Sequence, residues 1–576
     1  MLKNADKPRN SKKGAMQMAF TRFMLLVALF ILWMGIISIR LVHLQVSQRE
    51  WLRAAALNQR RDQTRKKLLR GTILDRDGHY LAISIKTKSL VADPSRIEDA
   101  DKIANEVAGV LEVKSDEILK LLREGKENNK KFVWLARKLD EDTSQKIDDF
   151  HEPGLYWIEE EKRMYPYNTL AAQVIGFSNF ENIGSAGIEQ SQDTLLYGAL
   201  VKGWRDRDRL GRVYDREEVK LDPPKDIILT IRASIQYKAE QALKEGIKNT
   251  GAKSGTAIVL DPHTGEILAM ASYPSYDPNS FNEAEPEFFK NNAFQNVYSP
   301  GSVFSTIVFG GALEEKLIAP DGQIDVKDSI KVGGREFKDS RPAKMMTYTE
   351  ALAASSNFAT IKTALDLGKD KFYNYAYKLG FGRVTGIELP GEQSGILRLP
   401  EMWNNDSLAS IAIGYEISTT ALQITSAYGT IANDGVRTKP HIIKEIRNSD
   451  GETVSNEKTE KTRVFSSETA RALREMLRQV VVQGTGKKAQ LNEYSSGGKT
   501  GTAWKFDPIL KQYNPAKFIA SFVGFAPADN PSIVITVVID EPRGGQYSGG
   551  EVAGPIFKDI AEQILPELNA LPDINN

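Results

Sequence analysis

The sequence predicts an α+β protein: a mixed α/β domain with an antiparallel sheet and flanking helices, preceded by a β-rich module and one membrane-crossing helix. Three observations carry this reading. First, residues 23–39 form an uncharged run, FMLLVALFILWMGIISI, continued beyond Arg40 by residues 41–46. At about 1.5 Å of rise per residue such a run crosses a hydrocarbon core of about 30 Å. Second, residues 70–84, RGTILDRDGHYLAIS, set Asp-Gly between two apolar runs, which is a hairpin signal. Third, from Asp226 onward segments of helical spacing alternate with apolar strand-like runs, the order expected of sheet and helices sharing one core.

The elements follow in order. A basic tail, residues 1–22, precedes the anchor at 23–46. Residues 50–67 are charged and Arg-rich and are predicted to form a helical stalk. The β-containing module runs from 47 to 225 with its stalk, through RMYPYNTLAAQVIGF (163–177) and GIEQ (187–190), to a linker at Asp222-Pro223-Pro224. In the domain at 226–576, residues 234–247 have helical spacing, and SGTAIVLD (254–261) and GEILAMAS (265–272) read as an antiparallel pair. Ser466 or Ser467 can cap a helix whose stripe is Ala470, Leu473, Met476, Leu477, Val480 and Val481. FIASFVGFA (518–526) and SIVITVVID (532–540) read as apolar strands before an amphipathic helix at 556–565. GTGKKA (484–489) lacks the first glycine and the hydroxyl residue of a phosphate loop and reads as a turn.

Composition narrows the chemistry. A chain of 576 residues has room for more than one core, and a net charge of +1 argues against nucleic acid as a partner. Without cysteine there is no disulfide, thiolate nucleophile or Cys-based metal site, and the five histidines stand singly, so no metal site is expected. Both flanks of the apolar run are basic, so the positive-inside rule does not orient it. A long trailing domain favours a short cytoplasmic tail and an exported body.

Three short motifs suggest acyl transfer. NVYSPGSVFSTI (296–307) runs a Pro-Gly turn into an apolar helical pattern, which holds Ser302 at a helix N-terminus with Ser305 on the same face. LAASSNFATIK carries Ser355-Ser356-Asn357, and SSGGKTGTAWK carries Lys499-Thr500-Gly501-Thr502. Read blandly, Ser355-Ser356-Asn357 caps or packs a helix, Lys499 binds a carboxylate and Ser305 fills space. Their order and context carry the evidence.

With these motifs, and with RGTILDRDGHYLA, LDPHTGEILAMASYPSYDPN, ALQITSAYGTIANDG and FVGFAPADNPSIVITVVIDEP, the chain resembles the class B penicillin-binding proteins, division-type D,D-transpeptidases that cross-link peptidoglycan. The resemblance implies a serine penicillin-recognising transpeptidase domain at 226–576 on a dimerisation-type pedestal. It implies that Ser302 attacks the penultimate D-Ala carbonyl of a stem peptide, with the backbone N–H groups of Ser302 and Thr502 as oxyanion hole. Ser355 would relay protons, Asn357 would hold the substrate amide, Lys499 would set the electrostatics, and Thr500, Gly501 and Thr502 would bind substrate. No cofactor or metal is implied. The implied partners are stem peptide, β-lactam, a SEDS-family glycan polymerase and other divisome membrane proteins. The implied place is the cytoplasmic membrane, single-pass, with the N-terminus cytoplasmic and the main domains outside.

One departure matters most. In that family the residue three after the nucleophile is a lysine that takes its proton; here it is Ser305. Losing a general base costs a factor of about 10² to 10⁴. Removing one amine also removes its repulsion of the other, so Lys499 is expected to hold its proton more firmly. Ser299, where an acidic residue is common, and Gly414-Tyr415-Glu416, where Gly-Gln-Gly is frequent, depart too. The expectation is a weak or silent member kept as a scaffold for the glycan polymerase through its stalk and first domain. The alternatives are an active transpeptidase with a substitute base, or a β-lactam sensor.

Overall fold

The computed structural model describes residues 11–47, 61–66, 69–198, 201–207, 213–218, 223–339, 342–456, 459–507, 509 and 511–574. The chain divides into two units: Met1–Leu68 with Ala199–Asp222, and Leu69–Gly198 with Pro223–Asn576.

In the first unit a helix, Ser11–Val42, continues into a wider turn, His43–Ser47. Its stretch Phe20–Gln45 is long and apolar enough to cross a membrane, and none of it is buried against protein. The expected helical stalk is corrected where it is described. Arg61–Lys66 is a strand, paired antiparallel with Val201–Arg207, which pairs in turn with Val213–Glu218. Its ladder partner lies far along the chain, so the local charge pattern that suggested a helix could not reveal it. Residues 48–60 lie outside the described residues.

The second unit begins with the Asp-Gly hairpin. Asp75 accepts from the backbone N–H groups of Asp77 and His79 at 2.9 and 2.8 Å, and Gly78 takes φ 93°, a left-handed value that costs glycine little. The long strand Tyr80–Ala92 pairs with Val133–Leu139 and with Leu155–Met164. Helices Ala100–Leu111 and Ser115–Glu127 bury Ile103, Val107, Ile118 and Leu122 in the same core as Leu90. The sheet does not stop at residue 225. Ile73–Leu74 pairs in parallel with Asp226–Leu229, which pairs antiparallel with Ile443–Arg447, making seven strands in all.

The pedestal motifs converge on one buried charge network. Arg70 Nε meets Glu189 Oε2 at 2.6 Å, Arg70 Nη1 meets Asp193 Oδ1 at 2.7 Å, and Arg163 Nε meets Glu189 Oε1 at 2.6 Å. The side chains of Arg70 and Glu189 are 0% exposed. Removing one partner of such a pair strands the other charge in a dry interior. Arg70→Ala is therefore expected to lower stability by about 3–5 kcal/mol, read as the denaturant midpoint of the purified chain.

The pedestal is tied to the next domain by Phe177, whose ring stacks on Phe281 at 4.5 Å and tilts against Phe289 at 4.9 Å. Glu240 accepts from Ala171 N–H at 2.8 Å, and burial pushes its carboxyl up to about 7.

The domain beyond is built on five antiparallel strands in the order Ile267–Tyr273, Ser254–Leu260, Ile533–Asp540, Gln512–Ala526, Gly497–Asp507. Helices Ala233–Thr250 and Gly554–Ile564 cover one face with Leu243, Ile247, Phe557 and Ile560. The other face carries helices Ser305–Glu314, Ala421–Ala432 and Ser467–Val482. The last is capped by Ser466, which accepts from Thr469 N–H at 3.2 Å, and all six residues of the expected stripe are buried.

Candidate active site

The turn that carries Ser302 is held from behind. Tyr298 and Thr419 exchange two backbone hydrogen bonds of 2.9 Å, and Gly301, at φ 59°, donates to Gly414 O at 3.3 Å. A 3₁₀ turn, Gly301–Phe304, leads into the helix Ser305–Glu314, which is apolar on nearly every side and buried along most of its length. Thr306 Oγ1 pairs with Tyr428 OH at 2.7 Å, and Tyr428 OH donates to Val303 O at 3.0 Å, so the first turn is pinned.

Ser305, only 3% exposed, donates its hydroxyl to the carbonyl of Ser302 at 2.7 Å. This is the back-bond that helix serines commonly make. The hydroxyl that stands in place of a base is thus committed to the backbone. Ser302 Oγ itself forms no hydrogen bond among the described residues.

The Ser-Ser-Asn segment is a junction between two helices. Tyr348–Ala354 opens with a capping box, Thr347 and Glu350, and ends on Ser355 at φ 58°. A left-handed serine is uncommon and tends to mark functional turns. Ser356 caps Asn357–Leu367, accepting from Ala359 N–H at 3.1 Å and donating to Asp339. Asn357 Nδ2 donates to Lys338 O at 3.1 Å.

Lys499 is fully buried on the edge strand Gly497–Asp507. Its Nζ lies 2.8 Å from Ser355 Oγ and 3.3 Å from Thr500 O. Burial pushes its ammonium down from 10.5 to about 7. Against a site with a second amine the absence of that neighbour still favours the charged form, but burial alone holds this ammonium well below the ordinary lysine range. Loss of a second amine is outweighed by the dry setting of this one, with no carboxylate among the influences on it.

The neighbouring residues fasten the walls together. Thr500 Oγ1 pairs with Thr485 Oγ1 at 2.7 Å, and Thr485 N–H donates to Ala353 O at 3.1 Å, which binds the Lys499 strand to the helix ending in Ser355. Thr502 Oγ1 accepts from Gly549 N–H at 3.0 Å. A Cβ on Gly501 would stand 2.4 Å from Ser521 Oγ and 2.8 Å from Pro300 O, so only glycine lets the strand meet the Ser302 turn this closely. The structure thus brings all three motifs together: the Ser302 turn rests on Gly501 and Thr502, and Ser355 on Lys499.

The other departures also have places. Ser299 Oγ is 3.1 Å from Tyr513 OH, and the Tyr513 ring stands edge-on to Tyr415 at 5.1 Å. Glu416, at φ 56°, pairs with Arg398 and accepts from Ser407 Oγ at 2.8 Å, which holds its charge in a local cluster. Thr485, Tyr428 and Tyr513 are the participants that sequence reasoning missed. Thr485 sits inside the segment read only as a turn, and nothing in the local pattern marks the other two.

Comparison with known proteins agrees with this geometry. The description "Penicillin binding protein transpeptidase domain" matches residues 255–562, and "Penicillin-binding Protein dimerisation domain" matches residues 66–227. Penicillin-binding protein PbpB of Mycolicibacterium smegmatis is 34% identical over 93% of this chain and 88% of its own length. Peptidoglycan D,D-transpeptidase FtsI of Escherichia coli is 31% identical over 88% of this chain and 84% of its own. Among solved structures, penicillin-binding protein 3 of Mycobacterium tuberculosis in complex with aztreonam superposes with a TM-score of 0.69 at 28% identity, covering 88% of this chain and 97% of that one. With a matched transpeptidase domain of more than half its length and relatives aligned along nearly all of it, the chain belongs to the penicillin-binding protein transpeptidase family.

Proposed function

We propose that this protein is a slow D,D-transpeptidase of peptidoglycan synthesis, acting at division, in which Lys499 working through Ser355 stands in for the missing lysine. The observation that carries the reading is the 2.8 Å contact between a fully buried lysine and the serine of the second motif. A lysine whose ammonium is depressed to about 7 is half neutral at neutral pH, so it can accept a proton where an ordinary lysine cannot.

In this scheme Ser302 Oγ bonds to the penultimate D-Ala carbonyl carbon as its proton passes to Ser355, whose own proton passes to Lys499. The Ser302 and Thr502 N–H groups stabilise the oxyanion. The proton returns by the same path to the departing D-Ala amine as the C–N bond breaks. An amine from a second strand then takes the acyl group by the reverse relay. Thr500, Gly501, Thr502 and Asn357 position the stem peptide. The relay adds one hydroxyl between base and nucleophile, which makes it slower than direct abstraction.

Ser305, committed to the backbone, favours a second role beside slow chemistry: a membrane-tethered scaffold for a SEDS-family glycan polymerase. The apolar helix would anchor the chain once in the cytoplasmic membrane, N-terminus inside, with both domains outside.

The test is covalent labelling by a fluorescent penicillin across pH 5.5 to 9. Labelling should be slow, rise through about pH 7 as Lys499 loses its proton, and vanish in Ser302→Ala. A rate that is flat across that window would rule out the Lys499 relay.

A further inference from the structure

We propose that Asp339 is a positioning residue for acyl transfer. Its carboxylate holds Ser356 and the head of the helix Asn357–Leu367, which keeps Ser355, one residue back, within reach of Lys499. This role presupposes the relay through Ser355 proposed above.

Ser355 stands on a left-handed turn between two helices, and the turn is tied at both ends. Behind it, Ser355 N–H donates to Leu352 O at 3.1 Å and Ser356 N–H to Ala351 O at 2.9 Å, which fastens it to the end of Tyr348–Ala354. Ahead of it, Asp339 Oδ2 accepts from Ser356 Oγ and from Phe358 N–H, the latter at 2.9 Å. Ser356 Oγ in turn accepts from Ala359 N–H at 3.1 Å. One carboxylate oxygen thus answers, directly and through a hydroxyl, two of the N–H groups that a helix leaves without a partner at its start. It also brings negative charge to the positive end of the helix dipole, and a neutral acceptor would bind the same donors less strongly.

Asp339 is itself anchored. Its N–H donates to Asp328 O at 2.8 Å, at the foot of the hairpin formed by Ser329–Val332 and Arg335–Lys338. Phe337 of that hairpin is buried with Ala409 and with Ile361, which belongs to the helix Asn357–Leu367. Lys338 O, the carbonyl just before Asp339, accepts from Asn357 Nδ2 at 3.1 Å. A carbonyl only accepts, so this bond fixes which end of the Asn357 amide meets the hairpin. Two consecutive residues, Lys338 and Asp339, therefore hold two members of the second motif. The third member, Ser355, makes the 2.8 Å contact with Lys499.

The test is the rate of labelling by a fluorescent penicillin between pH 5.5 and 9, measured on the full chain per folded molecule. Asp339→Ala is expected to slow labelling at pH 8 about tenfold or more, and to flatten the rise through about pH 7, because Ser355 is no longer held at Lys499. Asp339→Asn keeps an acceptor oxygen and should restore most of the rate together with the rise. Ser356→Ala, which removes a single hydroxyl, gives a second reading if Asp339→Ala proves unable to fold, and is expected to slow labelling in the same way. A carboxylate that only caps the helix would lower the melting temperature on removal and leave the rate and its pH profile as in the wild type. That result overturns the proposal, as does wild-type labelling by Ser356→Ala. Ser355→Ala tests the premise separately: wild-type labelling there defeats the relay and this role with it, whereas a slow Ser355→Ala beside a fast Asp339→Ala defeats the positioning role alone.

Discussion

Replacing Lys499 by methionine is expected to abolish covalent capture of a penicillin while making the protein harder to unfold. Both effects come from one burial. A shift from 10.5 to about 7 corresponds to roughly 5 kcal/mol of disfavoured charge at about 1.36 kcal/mol per unit. Methionine fills a similar volume without the charge, but it forfeits the bonds to Ser355 Oγ and Thr500 O. A net gain of about 1–3 kcal/mol remains.

The sign with pH follows from linkage. Between pH 7 and 10.5 the unfolded chain holds a proton that the folded chain has shed, so the wild type gains stability as pH rises through that window. The advantage of the methionine variant is accordingly full below pH 7 and shrinks toward pH 10.5. Melting curves at pH 6 and pH 9, set beside labelling at pH 7.5, check both halves. A variant that melts earlier at pH 6, or that still labels, refutes the argument.

Ser305→Lys is expected to speed acylation by about 10² to 10⁴. The side chain grows from the same helical face as Ser302, and among the described residues the one side-chain bond it gives up is the back-bond to the Ser302 carbonyl. It would also bring a second amine toward Lys499, and two ammonium groups in one dry pocket do not both stay charged. One of them is then neutral at lower pH, so the rise in labelling should move to the acid side of the wild-type profile. Acylation rate constants measured side by side decide the matter. Equal rates would assign the slowness to the departures at Ser299 and Glu416 instead.

Much of the scaffold was legible because it is local. The Asp-Gly hairpin, the Ser466 cap, the antiparallel pair at 254–273 and the two late strands each announce themselves by turn chemistry or periodicity within a dozen residues. The strand Arg61–Lys66 did not, because its partner is remote in sequence. The site divides in the same way. Motif order brought Ser302, Ser355 and Lys499 into view, but the proton affinity of Lys499 is a property of its surroundings. Pairwise repulsion could be argued from the missing lysine; complete burial could not, since it takes the whole fold to exclude water from one side chain. Thr485 was hidden for a related reason: its role is to join two walls that only the folded chain brings together.

The turn bearing Ser302 is wedged between two glycine-lined backbones. A methyl group on Gly414 would fall 2.1 Å from Gly301 O, and one on Gly501 would fall 2.8 Å from Pro300 O. That side of the cleft is rigid, with no slack to yield to a bulky inhibitor. The neighbouring hairpin is more open: Trp504 and Phe506 are 45% and 48% exposed, and among the described residues each ring meets one other ring, that of Tyr415 and that of Tyr513. A bulky ligand entering this cleft would therefore meet its steric limit at the serine turn before it meets one at that aromatic lip.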